Sequence, residues 1–537
     1  MTSAERDEEN MYNAGDVKAK EPEYSTLSYT WGRWRISGQD VNKHPALPVK
    51  GTPWAIPPIS NGHFTVEAFQ NAINRIAESS GVSWVWVDIG CIDQRRDDPK
   101  SQFVNTQGPI EIGRQASIFK QAKSTFVWLC RLESTKLSAV VDGVQQYGLD
   151  FSGYIWGRNR GKRIPDSLME GLAKAFDYIF DDPWFSSLWT LQEIVLRNDA
   201  LVLSTEGEPV LWNREPSEEY MYLTIFINFC KNTYREMEKA LASKKMATMP
   251  SVVSDQATLM INHIQQQILQ AGFYYLFSTN PNVQYGIARY RTTTRKEDRI
   301  YAIMQIYNLT VGKSVRPEEN PKLEELIFEF AGAICQRSPI LGQYFVHTQV
   351  PRDGTTWQIT EQSSIPDALM MYHDPVDLAT ITPHRGGLAI AAGKCCRFPA
   401  LLKASYDDGK RHPSDAVNGM GLNTKIFFDY HIDFIFPFLT RISKDMQPHQ
   451  GARKPQMNYN KVLVLHLGHL RGGAKRGNQG FYQKHVGLLL YPTNRAHGGV
   501  WEGVTFERLG VCTWSHGQSS DLLEKIEWQG VDQMVLE

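Results

Sequence analysis

Trp189 and Glu193 stand four residues apart in a stretch with helical spacing, so they share one stripe of a helix with Gln192 beside them. An indole next to a carboxylate and an amide makes a floor for a sugar or a nucleobase. The same pair also suits a partly buried Trp beside a Glu paired with a surface cation. A second group lies in WVWVDIGCIDQRRDD (84–98), which sets Asp88, Cys91, Asp93 and Gln94 at and just past the end of an apolar strand. Carboxylates there suit holding a hydroxyl or acid–base work. Capping of the next turn by Asp88 and core filling by Cys91 are the plain alternatives. Cys91 as a nucleophile needs a base, and no histidine lies near it in sequence.

Other motifs lead nowhere. GHLRGGAK (468–475) is not a phosphate loop, because alanine separates its glycine from the lysine and no Ser or Thr follows. His466 and His469, three apart on an apparent strand, should point to opposite faces, and no Cys-x-x-Cys pair occurs, so no metal is expected. Arg289, Arg291, Arg295, Lys296 and Arg299 suit either a phosphate or a solvated ion-pair face.

The elements that must position these groups follow a regular order. Tyr24–Gly32 reads as a strand closing on a glycine turn, with Tyr29, Trp31 and Gly32 at its end. Thr65–Ser80 reads as a helix with Val66, Phe69, Ile73 and Ile76 on one face and Gly81 as its stop. Trp84–Ile89 reads as a central strand, Glu111–Ala122 as a helix and Thr125–Cys130 as a strand. Residues 131–181 read as a polar insertion. Asp182–Pro183 then opens a helix to Leu196, with Trp184, Leu188, Leu191 and Val195 in the core, before a short strand at Ala200–Ser204. Alternating strands and helices imply an α/β fold with a mostly parallel sheet, whose ligands bind beyond the carboxyl ends of its strands.

Residues 1–22 read as a disordered tail, 23–205 as the α/β domain, 206–340 as a helical region and 341–537 as a β-rich region. Net charge is −1, which gives no general attraction for nucleic acid or anionic lipid. Seven scattered cysteines fit a reducing compartment, and no apolar run reaches the ~18–20 residues of a membrane span. A cytoplasmic protein binding neither nucleic acid nor membrane is expected.

Four ordered blocks resemble the heterokaryon-incompatibility (HET) domain of filamentous fungi: Tyr24–Gly32, Trp86–Gln94, Ile118–Leu129 and Trp189–Glu193. The stretch KEDRIYAIMQIY (296–307), with Asp298, Arg299 and Tyr301, resembles the segment that follows many such domains. Gln115, Phe119 and Cys130 depart from the family pattern and are expected to alter packing rather than chemistry. HET domains resemble Toll/interleukin-receptor (TIR) domains, and Ser187–Glu193 is similar to the TIR helix that carries the catalytic glutamate of NAD-hydrolysing members. The resemblance therefore implies a TIR-like, flavodoxin-like sheet and non-self recognition leading to cell death. It also implies that Glu193 hydrolyses NAD, a substrate and not a cofactor. Trp31 and Trp189 would stack on its rings, and Asp88 and Gln94 would hold hydroxyls. Self-association through the domain, and an unknown protein partner, belong to the same expectation. A non-catalytic module that docks through the Trp189/Glu193 face is the alternative.

Overall fold

The computed structural model describes residues 11–14, 17–20, 22–36, 47–95, 103–213, 218–245, 253–352, 354–411, 424–429, 458–471, 483–493, 504–515 and 526–537. They form two compact units, Met1–Phe277 with Tyr290–Pro321, and Ser278–Arg289 with Lys322–Glu537. The helical stretch after residue 205 contributes to both units. Within the expected tail, Met11–Ala14 pairs antiparallel with Val17–Lys20.

The first unit is built on strand β1, Tyr24–Ser28, buried along its whole length. Tyr24, Thr26 and Ser28 alternate onto one face, while Ser25, Leu27 and Tyr29 take the other. Strand β2 (Trp84–Trp86) flanks β1 on one side. On the other lie β3 (Ser124–Trp128) and β4 (Leu201–Leu203), giving the order β2-β1-β3-β4. All three pairings are parallel. This is the flavodoxin-like order, whose direction reverses at β1 and opens a crevice there.

Helix α1 (Val66–Ser80) covers one face. Thr65 caps it by accepting from the Ala68 amide, and Gly81, at φ 64°, ends it. Its Ala72 and Ile76 pack with Leu27, Phe126, Trp128 and Leu203. Val66 stays 60% exposed, whereas Ala68, Phe69 and Ile73 pack against the core under the helix. Helix α2 (Gln107–Gln121) covers the other face, with Ile118 and Phe119 against Tyr24 and Trp86.

Three expectations are corrected here. β2 is an edge strand with Trp84 48% exposed, and it stops at Trp86 because the Asp88 carboxylate captures the Ile89 amide and turns the chain into a helical turn, Asp88–Cys91. Residues 131–181, read as a polar insertion, are mostly helical. They form helices α3 (Ser134–Ile155) and α4 (Asp166–Phe180), in which Gly148 and Gly171 mark close packing: a Cβ on Gly171 would meet the Tyr147 ring at 2.6 Å. The expected helix from Asp182 is a 3-10 turn, Pro183–Ser186, capped by Asp182, followed by an extended Ser187 and then α5 (Leu188–Leu196). Val195 is only partly buried, whereas Trp184, Leu188 and Leu191 are core residues. Helices α6 (Leu223–Lys245), α7 (Asp255–Gln270) and α8 (Asp298–Met304) complete the described helical shell of this unit.

The second unit joins helix α9 (Leu323–Arg337) to an eight-stranded, almost wholly antiparallel sheet. Its strands are β5 (Pro375–Asp377), β6 (Thr380–Pro383), β7 (Ala389–Arg397), β8 (Lys425–Phe428), β9 (Leu463–Arg471), β10 (Gln483–Pro492), β11 (Thr505–Ser515) and β12 (Gln529–Leu536). Pairing runs β9-β10-β11-β12-β7 and returns to β9, so five strands close into a ring without a free edge among them. His466 and His469 do not point apart as expected. A bulge at Leu467–Gly468 shifts the register, bringing His466 Nε2 to 3.1 Å from His485 Nδ1 and the His469 ring to 5.5 Å from the His485 ring. Among the described residues no cluster of His, Cys, Asp or Glu has metal-binding geometry, and no helix is long and apolar enough to cross a membrane.

Candidate functional site

The chain leaves β1 at Ser28 and runs through Tyr29 and Thr30 to Trp31, whose indole N–H donates to Asp88 Oδ2 at 2.6 Å. Asp88 Oδ1 accepts from the Ile89 amide at 2.7 Å. Gln94 Nε2 donates to the carbonyls of Asp88 (3.2 Å) and Ile92 (3.0 Å). The turns that follow β1 and β2 are thereby locked to each other at the carboxyl edge of the sheet. Burial outweighs these donors and pushes the Asp88 carboxyl above its ordinary range. Burial, and then the Asp88 charge, push the neighbouring Tyr29 hydroxyl well up.

Glu193 reaches the same edge from α5. Trp184 Nε1 donates to Ser28 Oγ at 2.8 Å, and Ser28 Oγ donates to Glu193 Oε2. An indole N–H can only donate, so Ser28 accepts from Trp184, which leaves its own hydrogen free for Glu193. Burial nevertheless holds the Glu193 carboxyl well above the usual carboxylate range. The Ser28 hydrogen bond pulls it down and the Asp88 charge pushes it further up. Trp189, one turn earlier on α5, donates its Nε1–H to Asp298 Oδ2 over 3.4 Å, and Thr293 Oγ1 donates to the same oxygen at 2.8 Å. Glu193, Trp189, Trp31, Asp88 and Asp298 line one cleft of about 500 Å³, together with the basic side chains of Arg33, Arg95, Arg295 and Lys313. Acidic groups and indoles therefore share one pocket with cations, an arrangement suited to a ligand that carries rings, hydroxyls and negative charge.

Residues 24–193 match the family model described as heterokaryon incompatibility protein (HET). The chain carries a HET domain. No curated protein and no solved structure matches the chain. The HET match begins on the first residue of β1 and ends on Glu193, so the cleft lies where the two ends of the domain meet.

Of the residues singled out from sequence, Tyr29, Trp31, Gly32, Asp88, Asp93, Gln94, Trp189 and Glu193 line the HET cleft. Cys91 and Gln192 are not among its lining residues. Burial raises the Cys91 thiol. Gln192 is fully buried and donates to Gln115 Oε1 at 3.4 Å. Asp93 is spent on Arg95, whose Nε and Nη2 reach its two oxygens, so it orders the loop. Gly108, at the start of α2, lets the helix approach that loop, since a Cβ there would stand 2.9 Å from the Asp93 carbonyl. Among the family departures, Phe119 is core, whereas Gln115 lines the cleft as well as packing. Cys130 lies 3.4 Å from His63 Nε2, but burial lowers His63 to about 4 and raises the thiol, leaving both neutral and unsuited to nucleophilic work.

Ser28, Trp184, Thr293 and Asp298 went unmarked as site residues. Ser28 lay inside a strand motif and Trp184 looked like ordinary core. The sequence block around Asp298 was visible, but nothing in it tied the aspartate to a tryptophan more than a hundred positions earlier.

Proposed function

We propose that the HET domain hydrolyses the nicotinamide–ribose bond of NAD, in a heterokaryon-incompatibility response that ends in growth arrest or cell death. The observation that carries this reading is that Glu193 opens into a cleft shared with two indoles while Ser28 holds it from behind. The similarity of Ser187–Glu193 to the catalytic helix of NAD-hydrolysing TIR domains supports it, as does the flavodoxin-like strand order.

In this reading the bond from ribose C1′ to the nicotinamide nitrogen breaks, and the electron pair leaves with neutral nicotinamide. Positive charge builds on the ribose, and ionised Glu193 stabilises it while holding the diol. Water then adds to C1′ and releases a proton, giving ADP-ribose. Trp31 and Trp189 stack on the rings, Asp88 and Gln94 hold hydroxyls, and Arg33 and Arg295 face the diphosphate. The chemistry calls for neither metal nor cofactor, since nicotinamide is already a good leaving group. The cytoplasm supplies the substrate, and self-association through the domain is the proposed switch.

One observation favours a second reading, a non-catalytic docking module. The hydrogen bonds that join Trp184, Ser28 and Glu193 would serve equally well in a carboxyl that holds structure alone. The two separate by nicotinamide release from NAD with the full chain and with Glu193→Gln. The enzyme reading expects release from the first and background from the second. Toxicity to the host cell that survives Glu193→Gln supports docking.

A further inference from the structure

The cleft has a wall that the HET match does not contain. Thr292, Thr293, Thr294, Arg295, Asp298 and Lys313 line it, and all lie about a hundred residues or more beyond Glu193. This strap is anchored rather than leaning. Arg291 is fully buried, and its guanidinium donates to the carbonyls of Trp184 (3.1 Å), Ser187 (3.1 Å) and Ala271 (2.6 Å) and to Thr190 Oγ1 (3.2 Å). The backbones pair as well: the Leu188 amide donates to the Thr292 carbonyl at 3.0 Å, and the Thr292 amide to the Ser186 carbonyl at 2.8 Å. These bonds seize the start of α5, the helix that presents Trp189 and Glu193. Arg33, just after β1, closes the clamp with Nη1 donating to Thr292 Oγ1 at 2.6 Å.

The geometry points to an active cleft completed in cis. We propose that the strap from Tyr290 to Lys313 is part of the site, and that Asp298 is the positioning residue that sets the Trp189 indole for a planar ring of the substrate. A carboxylate oxygen held by Thr293 faces the indole N–H, so the ring is turned by an acceptor that is itself fixed. The neighbouring indole is set by the same device, Trp31 on Asp88. Self-association would then regulate a cleft each chain already owns, without supplying the missing wall. The catalytic arm of the test rests on the NAD-hydrolysis reading; the spectroscopic arm does not.

The full chain is labelled with 5-fluorotryptophan and the Trp189 fluorine signal assigned with Trp189→Phe. Asp298→Asn should shift that signal, Thr293→Val should shift it less, and dilution to the monomer should leave the wild-type signal in place. A Trp189 signal unmoved by both variants, or one that moves on dilution alone, overturns the proposal whether or not the protein turns over NAD. In the catalytic arm, Asp298→Asn should raise KM for NAD about tenfold, the scale of one charge-assisted hydrogen bond, with a smaller change in kcat. Mixing Glu193→Gln chains with Asp298→Ala chains should leave the raised KM of the Asp298→Ala chains in place, and a return to the wild-type KM would mean that the wall comes from a partner. Background release by the wild type defeats the functional reading, and the fluorine signal alone then decides this one.

Discussion

Ser28 Oγ lies between Trp184 Nε1, 2.8 Å away, and the carboxylate of Glu193, to which it donates. A residue at the end of the central strand thus couples a core tryptophan to the acid that faces the cleft. Replacing Ser28 with Ala leaves the buried Trp184 N–H without its acceptor and Glu193 without its donor. The variant should lose about 1–3 kcal/mol in chemical denaturation. Its pH–rate profile should move to higher pH, because the lost bond was the one lowering the Glu193 pKa.

Stability and activity should respond to pH in opposite directions. Glu193 and Asp88 both have folded-state pKa values raised by burial, so the folded protein holds their protons more tightly than the unfolded chain does. Their contribution to stability is fully present below the ordinary carboxylate range and is lost as pH rises through the folded values. Hydrolysis needs ionised Glu193, so kcat/KM should climb over the same window. Thermal melts and initial rates across one buffer series check this. Parallel trends contradict it.

Glu193→Gln should stabilise the protein at neutral pH by about 1 kcal/mol, the usual scale when a functional strain is relieved. The amide keeps an acceptor for Ser28 and carries no charge at any pH. Thermal unfolding checks this, and a variant less stable than wild type would argue that the ionised carboxylate is not under strain.

Arg291→Ala should destabilise the first unit by about 3 kcal/mol, since the buried Ala271 carbonyl loses the guanidinium and the carbonyls of Trp184 and Ser187 are left to share the Thr190 hydroxyl. Arg291→Lys should recover little of this, because one ammonium cannot span the positions the planar guanidinium reaches. Denaturant midpoints of the three proteins measure the difference.

Cys91→Ala should leave nicotinamide release within about twofold of wild type, a change far smaller than the loss of a nucleophile. Its thiol is pushed up by burial and is not among the residues lining the cleft. Loss of activity with an intact fold would reopen a role for the sulfur.

Much of this site was legible from residue order. Trp189 and Glu193 declared themselves by helical spacing, and the turns after β1 and β2 by the rule that ligands gather at strand ends. The limits have physical causes. Glycines and polar residues in 131–181 suggested an insertion into the pattern, yet Gly171 is small because Tyr147 presses on it. Trp84 to Ile89 looked like a central strand, but an aspartate side chain can outbid the sheet for a backbone amide, and Asp88 does so. His466 and His469 were separated by counting in twos, which a single bulge undoes. Of five basic residues read as one patch, Arg291 is a buried clamp while Arg295 lines the cleft. Long-range partners such as Asp298 for Trp189 carry no local pattern at all.

The central claim is that Glu193 turns the HET cleft into an NAD hydrolase. Full-length protein, wild type and Glu193→Gln, should be incubated with NAD at concentrations that promote self-association, and free nicotinamide followed over time. Steady release by the wild type with background from the variant is the predicted result. Equal, background-level signal from both would contradict it.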